Sequence, residues 1–175
     1  VLSYGVETGS PKVAKNLRRF HDYDAIYDEM EYLSERNFLI STWWMVGLPE
    51  EGREEYLQTR EMVIETMKMG IFPQLVTPMI LYPQSPLAKE VEKFEITPLL
   101  TSFNDFRKFS TTLRNDEVHY PDLITHISKH QSAAETLEYC ADLKKTIQEN
   151  YQSVIEKNKG KVHITPFSAF STGIY

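Results

Sequence analysis

The chain has 175 residues, 41% of them hydrophobic, and 19 basic against 25 acidic side chains leave a formal net charge of −6. That length supports one hydrophobic core, and the acidic balance argues against a basic nucleic-acid surface. A single cysteine, Cys140, excludes an internal disulfide, a multi-cysteine zinc site and an iron–sulfur cluster held by this chain alone, and it fits a reducing, cytoplasmic compartment.

Val1 opens on strand-like sequence without an initiator methionine, so the expectation is a piece of a longer protein. Val1 to Glu7 predicts a strand that closes on the turn Thr8-Gly9-Ser10. Ser10-Pro11 then predicts a helix start, with Ser as N-cap and Pro at the first helical position. After Asp24, the residues Ile26, Tyr27, Met30 and Leu33 fall at helical spacing. Phe38 to Val46 is rich in β-branched and aromatic residues and ends at Gly47-Leu48-Pro49. Because it is apolar on both faces, it predicts a parallel strand covered by helices on each side. With Ser41 and Thr42 interrupting it, this run is far too short to span a bilayer.

Glu51 to Gly70 predicts the clearest helix. Acidic residues crowd its first turns, Tyr56, Leu57, Val63, Ile64 and Met67 share a face, and Gly70 stands where a C-cap belongs. Gln74 to Leu81 predicts a third strand, which Pro78 restricts to an edge or bulged position. The loop Tyr82-Pro83-Gln84-Ser85-Pro86 and a short helix from Leu87 to Lys93 follow. The strand starts lie roughly 35 to 38 residues apart, the length of a βαβ unit. Right-handed crossovers then place all three strand C-termini on one edge, where α/β sheets and barrels bind ligands.

Phe94 to Tyr120 is aromatic and polar without clear period and reads as irregular structure or short helices. Ser132 to Lys157 predicts a long helix with Leu137, Cys140, Leu143, Ile147, Tyr151 and Val154 on one stripe, closed by Gly160. Lys161 to Tyr175 is a tail. Cys140 on that stripe reads as a small buried hydrophobe. His126 and His130 stand at i and i+4, as helical metal ligands can. No glutamate follows His126 and no third ligand is evident, so they read as solvated polar residues and no metal site is assigned.

The fold class that emerges is α/β: a partial (β/α) barrel segment of about three parallel strands with covering helices, residues 1–95, and a mainly helical C-terminal extension, residues 96–175. Each strand ends in a loop of unusual composition. The first sets the Glu7 carboxylate beside two hydroxyls and glycine, and in the second Gly47 permits close approach to the backbone.

Gly5-Val6-Glu7-Thr8-Gly9-Ser10-Pro11, Val46-Gly47-Leu48-Pro49-Glu50 and Tyr82-Pro83-Gln84-Ser85-Pro86-Leu87, in this order and at these distances, resemble the radical S-adenosylmethionine enzymes. The nearest branch often carries an N-terminal cobalamin-binding domain and includes the related anaerobic porphyrin-pathway enzymes. The resemblance covers residues 1 to about 95. It implies that the three segments follow the fourth, fifth and sixth strands of a partial (β/α)₆ barrel. Glu7 falls where the family places a polar side chain facing S-adenosylmethionine. Arg19 falls where a Lys or Arg often pairs with the methionine carboxylate, and Ser10 is a neighbour of the same ligand. Gly47, Leu48 and Pro49 match the motif that supports the adenine by backbone and apolar contact.

Three departures stand out. Glu50-Glu51-Gly52 replaces the usual Gly-Glu-Thr, Pro83-Gln84-Ser85 replaces Pro-Gly-Thr, and Trp43 stands where many relatives keep a small or acidic residue. The resemblance further implies a four-iron, four-sulfur cluster whose Cys-x₃-Cys-x₂-Cys ligands lie outside this chain, and cobalamin in members that carry that domain. The implied function is the C-terminal part of an iron–sulfur radical S-adenosylmethionine enzyme, an Fe–S oxidoreductase in the broad sense. It would be inactive alone, with a small-molecule substrate and the missing N-terminal half of the same enzyme as partners. No residue is assigned a catalytic role. Two alternatives stay open: a non-catalytic half-barrel whose long helix docks on a partner, and an unrelated α/β enzyme binding phosphate or a nucleotide at the same edge.

Overall fold

The structure is a computed structural model that describes residues 1–19, 22–112 and 123–161, with residues 110–112 described by backbone alone. Its elements in chain order are β1 (Leu2–Glu7), α1 (Pro11–Asn16), α2 (Tyr23–Glu35), β2 (Ile40–Val46), α3 (Arg53–Lys68) and β3 (Phe72–Pro78), then α4 (Pro86–Lys89), β4 (Ile96–Pro98), α5 (Phe103–Thr112), β5 (His126–Ser128) and α6 (Ala133–Lys157). β1, β2 and β3 form a parallel sheet in that order, and β4 pairs antiparallel with β5. The α/β class stands as expected from the sequence. Among the described residues the sheet has three strands and does not extend into a barrel. The stretch 113–122 and the tail from 162 onward lie outside the described residues. No described helix is long and apolar enough to cross a membrane.

Among the described residues the sheet is covered by helices on one face. Trp44, Val6, Ile40, Val46 and Val76 pack there against Met30 of α2, Val63 and Met67 of α3 and Leu143 and Val154 of α6. Side chains alternate along a strand, so the neighbouring Trp43 points the other way, and it is 46% exposed. The expectation that helices cover β2 on both sides is therefore corrected: all three packing helices lie on the Trp44 side. β3 is both an edge strand and bulged. Thr42 pairs with Pro73 and Trp43 with Leu75, which leaves Gln74 as the extra residue. A strand carrying Pro73 and Pro78 lacks two N–H donors, and the edge is where that is tolerated.

α3 begins later than its acidic run implied, with Gly52 at the N-cap and the Glu55 carboxylate accepting from Gly52 N–H at 3.0 Å. Leu57, expected on its buried face, is exposed, and Thr59, Met62 and Thr66 turn inward instead. α6 starts at a capping box in which Ser132 N–H donates to Glu135 Oε2 at 2.8 Å and Glu135 N–H to Ser132 Oγ at 3.3 Å. It packs on α3, β2 and β3. Its apolar stripe is thus covered within the chain, and the face that a docking helix would offer a partner is already used. Tyr139 stacks on Tyr56 with ring centroids 4.1 Å apart, and Tyr56 and Arg60 both donate to Asp142, at 2.5 and 3.0 Å.

A second cluster forms beyond the strand C-termini. Val13 of α1, Leu48, Met79 and Leu81 of the strand-end loops and Phe94 and Ile96 share it, so the loops after all three strands are packed against one another. The loop after β1 rests directly on α3. A Cβ added at Gly9 would lie 2.7 Å from Gln58 O and 2.8 Å from Thr59 Cα, which only glycine avoids. Gly9→Ala should therefore lower unfolding stability by about 1–3 kcal/mol. Gly5→Ala, whose new carbon meets only Glu7 Oε1 at 3.6 Å, should change it by less than about 1 kcal/mol. Urea titration of the two variants side by side measures the contrast.

Candidate functional site

β1 ends in a bulge. Gly5 pairs with Trp43 but Glu7 already pairs with Trp44, and Glu7 sits at φ +69°, a left-handed conformation that non-glycine residues seldom adopt. The distortion folds the Glu7 side chain back so that its Oε1 lies 3.6 Å from where a Gly5 Cβ would be. Gly5 is in register with Trp43, so the Glu7 carboxylate stands on the uncovered face of the sheet. Arg19 reaches it there, Nη2 to Oε1 at 2.8 Å. Two residues that the sequence reading assigned to one ligand thus meet. Burial pushes the Glu7 carboxyl above its usual range, and the Arg19 charge partly offsets this.

Ser10 takes the N-cap position of α1 as expected, with Pro11 following, but its side chain does not cap. Its Oγ is fully buried and makes no hydrogen bond among the described residues. The rest of that loop is well held: Ser10 N–H donates to Thr8 Oγ1 at 3.1 Å, Gly9 N–H to Thr59 Oγ1 at 2.9 Å, and the hydroxyls of Thr8 and Thr59 lie 3.2 Å apart.

The loop after β2 turns inward. Gly47 has φ +82°, which suits glycine alone, and Thr136 Cγ2 sits 3.1 Å from where its Cβ would be. Gly47 N–H donates to Glu51 Oε2 at 2.6 Å and Leu48 N–H to the same oxygen at 3.3 Å. Leu48 is 2% exposed within the second cluster, and Pro49 is buried too. Gly47, Leu48 and Pro49 therefore shape the loop from inside, whereas Glu7 and Arg19 stand on the uncovered sheet face.

Two residues central to this loop escaped the sequence reading. Glu51, placed there in the first turn of a helix, precedes α3 and is fully buried. Its Oε1 has no hydrogen-bond partner among the described residues, and burial pushes its carboxyl up to about 8 despite the two backbone N–H donors. Gln131, its amide oriented with Nε2 toward Glu51, donates to Glu51 Oε2 at 3.1 Å and to the Glu51 carbonyl at 3.2 Å.

His126 is the second. The reading of His126 as a solvated residue is overturned, because it opens β5 and is 6% exposed. Its Nε2 donates to Gly47 O at 2.8 Å, and its Nδ1 lies 3.4 Å from Thr125 Oγ1, which accepts from Leu81 N–H at 2.8 Å. Burial lowers the His126 pKa, so the ring is neutral with its proton on Nε2. His130 lies at the surface beside Glu95 at 3.3 Å. The β-branched residues Ile124, Thr125 and Ile127 around His126 are the strand signal that the i, i+4 spacing obscured.

No group of three His, Cys, Asp or Glu among the described residues could hold a metal ion. Cys140 lies in the core as expected, where burial pushes its thiol up to about 12 and keeps it protonated. A cavity of about 360 Å³, lined by Ser34, Glu65, Lys68, Lys157 and Lys161 among others, opens at the far end of the helices, away from the strand-end loops.

The chain matches no family model. Over 70 residues, 40% of this chain, it is 34% identical to Protein YhcC of Escherichia coli strain K12 and to Uncharacterized protein YhcC of Escherichia coli O157:H7. The matched stretch spans 23% of the length of either relative.

The folded-state pKa of Glu51, about 8, lies above the ordinary 4.5, so the neutral form is the one the fold favours. Its contribution to stability is complete below about pH 4.5 and is lost as the pH rises through about 8. Thermal melting across that window should show stability falling with pH in the native chain. Glu51→Gln, which keeps an acceptor for the two N–H groups and cannot ionise, should flatten the slope. Glu51→Ala, which orphans both donors, should cost about 1–3 kcal/mol at any pH.

Proposed function

We propose that this chain is the C-terminal part of a radical S-adenosylmethionine enzyme and contributes one wall of the S-adenosylmethionine and substrate site. The observation that carries the reading is the Glu7–Arg19 pair, held at a strand C-terminus on the uncovered face of a parallel sheet. S-adenosylmethionine carries a carboxylate beside positive charge, and a guanidinium next to a carboxylate is its complement. Arg19 grips the methionine carboxylate through two parallel N–H donors, and Glu7 faces the positive part of the ligand.

The donor set does not fit a cluster. The chain has one cysteine, and its thiol is protonated in the core, so the ligands belong to another part of a longer, cytoplasmic protein. A cluster held outside this chain would supply the electron for radical chemistry on bound S-adenosylmethionine, and this chain would supply part of the wall that holds the ligand. The residues of this chain bind and orient. The bulge at Glu7 aims the carboxylate, and the Gly9 contact with α3 holds that loop in place. Glu51 and His126 keep the loop after β2 turned inward, and the uncovered sheet face becomes the inner wall of a partial barrel.

The longest natural protein containing these residues, expressed without oxygen, tests the proposal. A Cys-x₃-Cys-x₂-Cys segment upstream of Val1, a bound iron–sulfur cluster and reductant-dependent formation of 5′-deoxyadenosine are the expected outcomes. Arg19→Ala should raise KM for S-adenosylmethionine by about 10- to 100-fold, the loss of a charge-assisted pair. A protein that binds no cluster and forms no 5′-deoxyadenosine overturns the reading.

A further inference from the structure

The uncovered face holds more than the Glu7–Arg19 pair. Trp43, one of two tryptophans on the central strand, stands 46% exposed there, and its Nε1 donates to Gln74 Oε1 at 3.3 Å, which holds the ring from the β3 side. Its register partner on β1 is Gly5, which has no side chain. Above Gly5, the only atom among the described residues within 4 Å of a would-be Cβ, outside its chain neighbours, is Glu7 Oε1 at 3.6 Å. Strands in a sheet lie about 4.8 Å apart. The backbone at Gly5 is therefore the floor of an open slot with a carboxylate on one side and an indole on the next strand.

We infer that this slot receives the cationic centre of the ligand, and that Trp43 with Glu7 makes the site selective for a sulfonium over a neutral thioether. The inference rests on the proposed function and names the chemistry of its site. A carboxylate attracts the cation through its charge, and a tryptophan ring attracts it through its negative face. A glycine is required at the floor because any larger side chain would fill the space between them. The ligand carboxylate goes to Arg19, which releases Glu7 from its internal ion pair to meet the cation. Charge is conserved in the exchange: one ion pair opens and two form. Burial already pushes the Glu7 carboxyl upward, and a neighbouring cation reverses that.

The test compares S-adenosylmethionine with S-adenosylhomocysteine, which keeps the adenosine, the amine and the carboxylate but lacks the S-methyl group, so that its sulfur is a neutral thioether. Equilibrium dialysis is run on the full-length natural protein prepared without oxygen. The native protein should prefer S-adenosylmethionine by about tenfold. Trp43→Leu and Glu7→Gln should each reduce the preference to about twofold, Trp43→Phe should retain most of it, and Gly5→Val should weaken both ligands. Near-ultraviolet circular dichroism of each variant checks that the fold is intact. A native preference near unity, or a preference unchanged in Trp43→Leu and Glu7→Gln, overturns the inference while leaving the function in place. Native protein that binds neither compound overturns the function, and the inference with it.

Discussion

Glu51 is fully buried, and the loop after β2 is built around it. Its Oε2 gathers the N–H groups of Gly47 and Leu48, the two donors left free when β2 stops and the chain reverses. Gly47, turned to positive φ, also presents its carbonyl to His126. Through Gln131 and His126 the same loop is tied to residues about eighty positions later. A buried carboxyl is normally a liability. Here it replaces several separate caps, and everything on that side of the sheet, including Leu48 and the second hydrophobic cluster, takes its position from it.

The same economy explains the division between the two sheet faces. Helices α2, α3 and α6 fill one face with interlocking apolar side chains, and the second cluster seals the C-terminal edge. The other face leaves Trp43 and Arg19 exposed, with the Glu7 carboxylate largely buried beneath the guanidinium. A parallel sheet usually has both faces covered, and a central strand with an indole in the open is the strongest departure from that pattern in the molecule. The bulge at the end of β1 belongs with it, since without the positive φ at Glu7 the carboxylate would not fold back over Gly5.

Much of the fold was legible in the residues. Val1 to Glu7, Phe38 to Val46 and the Ser132 to Lys157 stripe carry strong periodic or compositional signals, and Pro78 announced an edge strand correctly. The misreadings share one cause: a local explanation was available and a long-range one prevailed. An acidic residue ahead of a helix has a ready role with the helix dipole, so Glu51 was not seen as a buried hub. A polar histidine has a ready place in solvent, so a buried three-residue strand at His126 went unread. Trp43 and Trp44 point to opposite faces of β2, but nothing in their neighbours said that the Trp43 ring lacked a cover. Glu7 and Arg19 are separated by twelve positions and a helix of six residues. Only the resemblance, not their spacing, placed them together.

The position of α6 carries a consequence for how the chain comes into being. The layer over Trp44, Val63 and Met67 is closed by Cys140, Leu143 and Val154, residues that leave the ribosome after all three strands of the sheet. Until then β1, β2 and β3 have their hydrogen-bond ladder available but an open apolar flank. Contacts between such distant parts of a chain form slowly, and the waiting surface is prone to adhere to other chains. Synthesis halted before Ala133 would therefore release a sheet that pairs correctly and still lacks one side of its core.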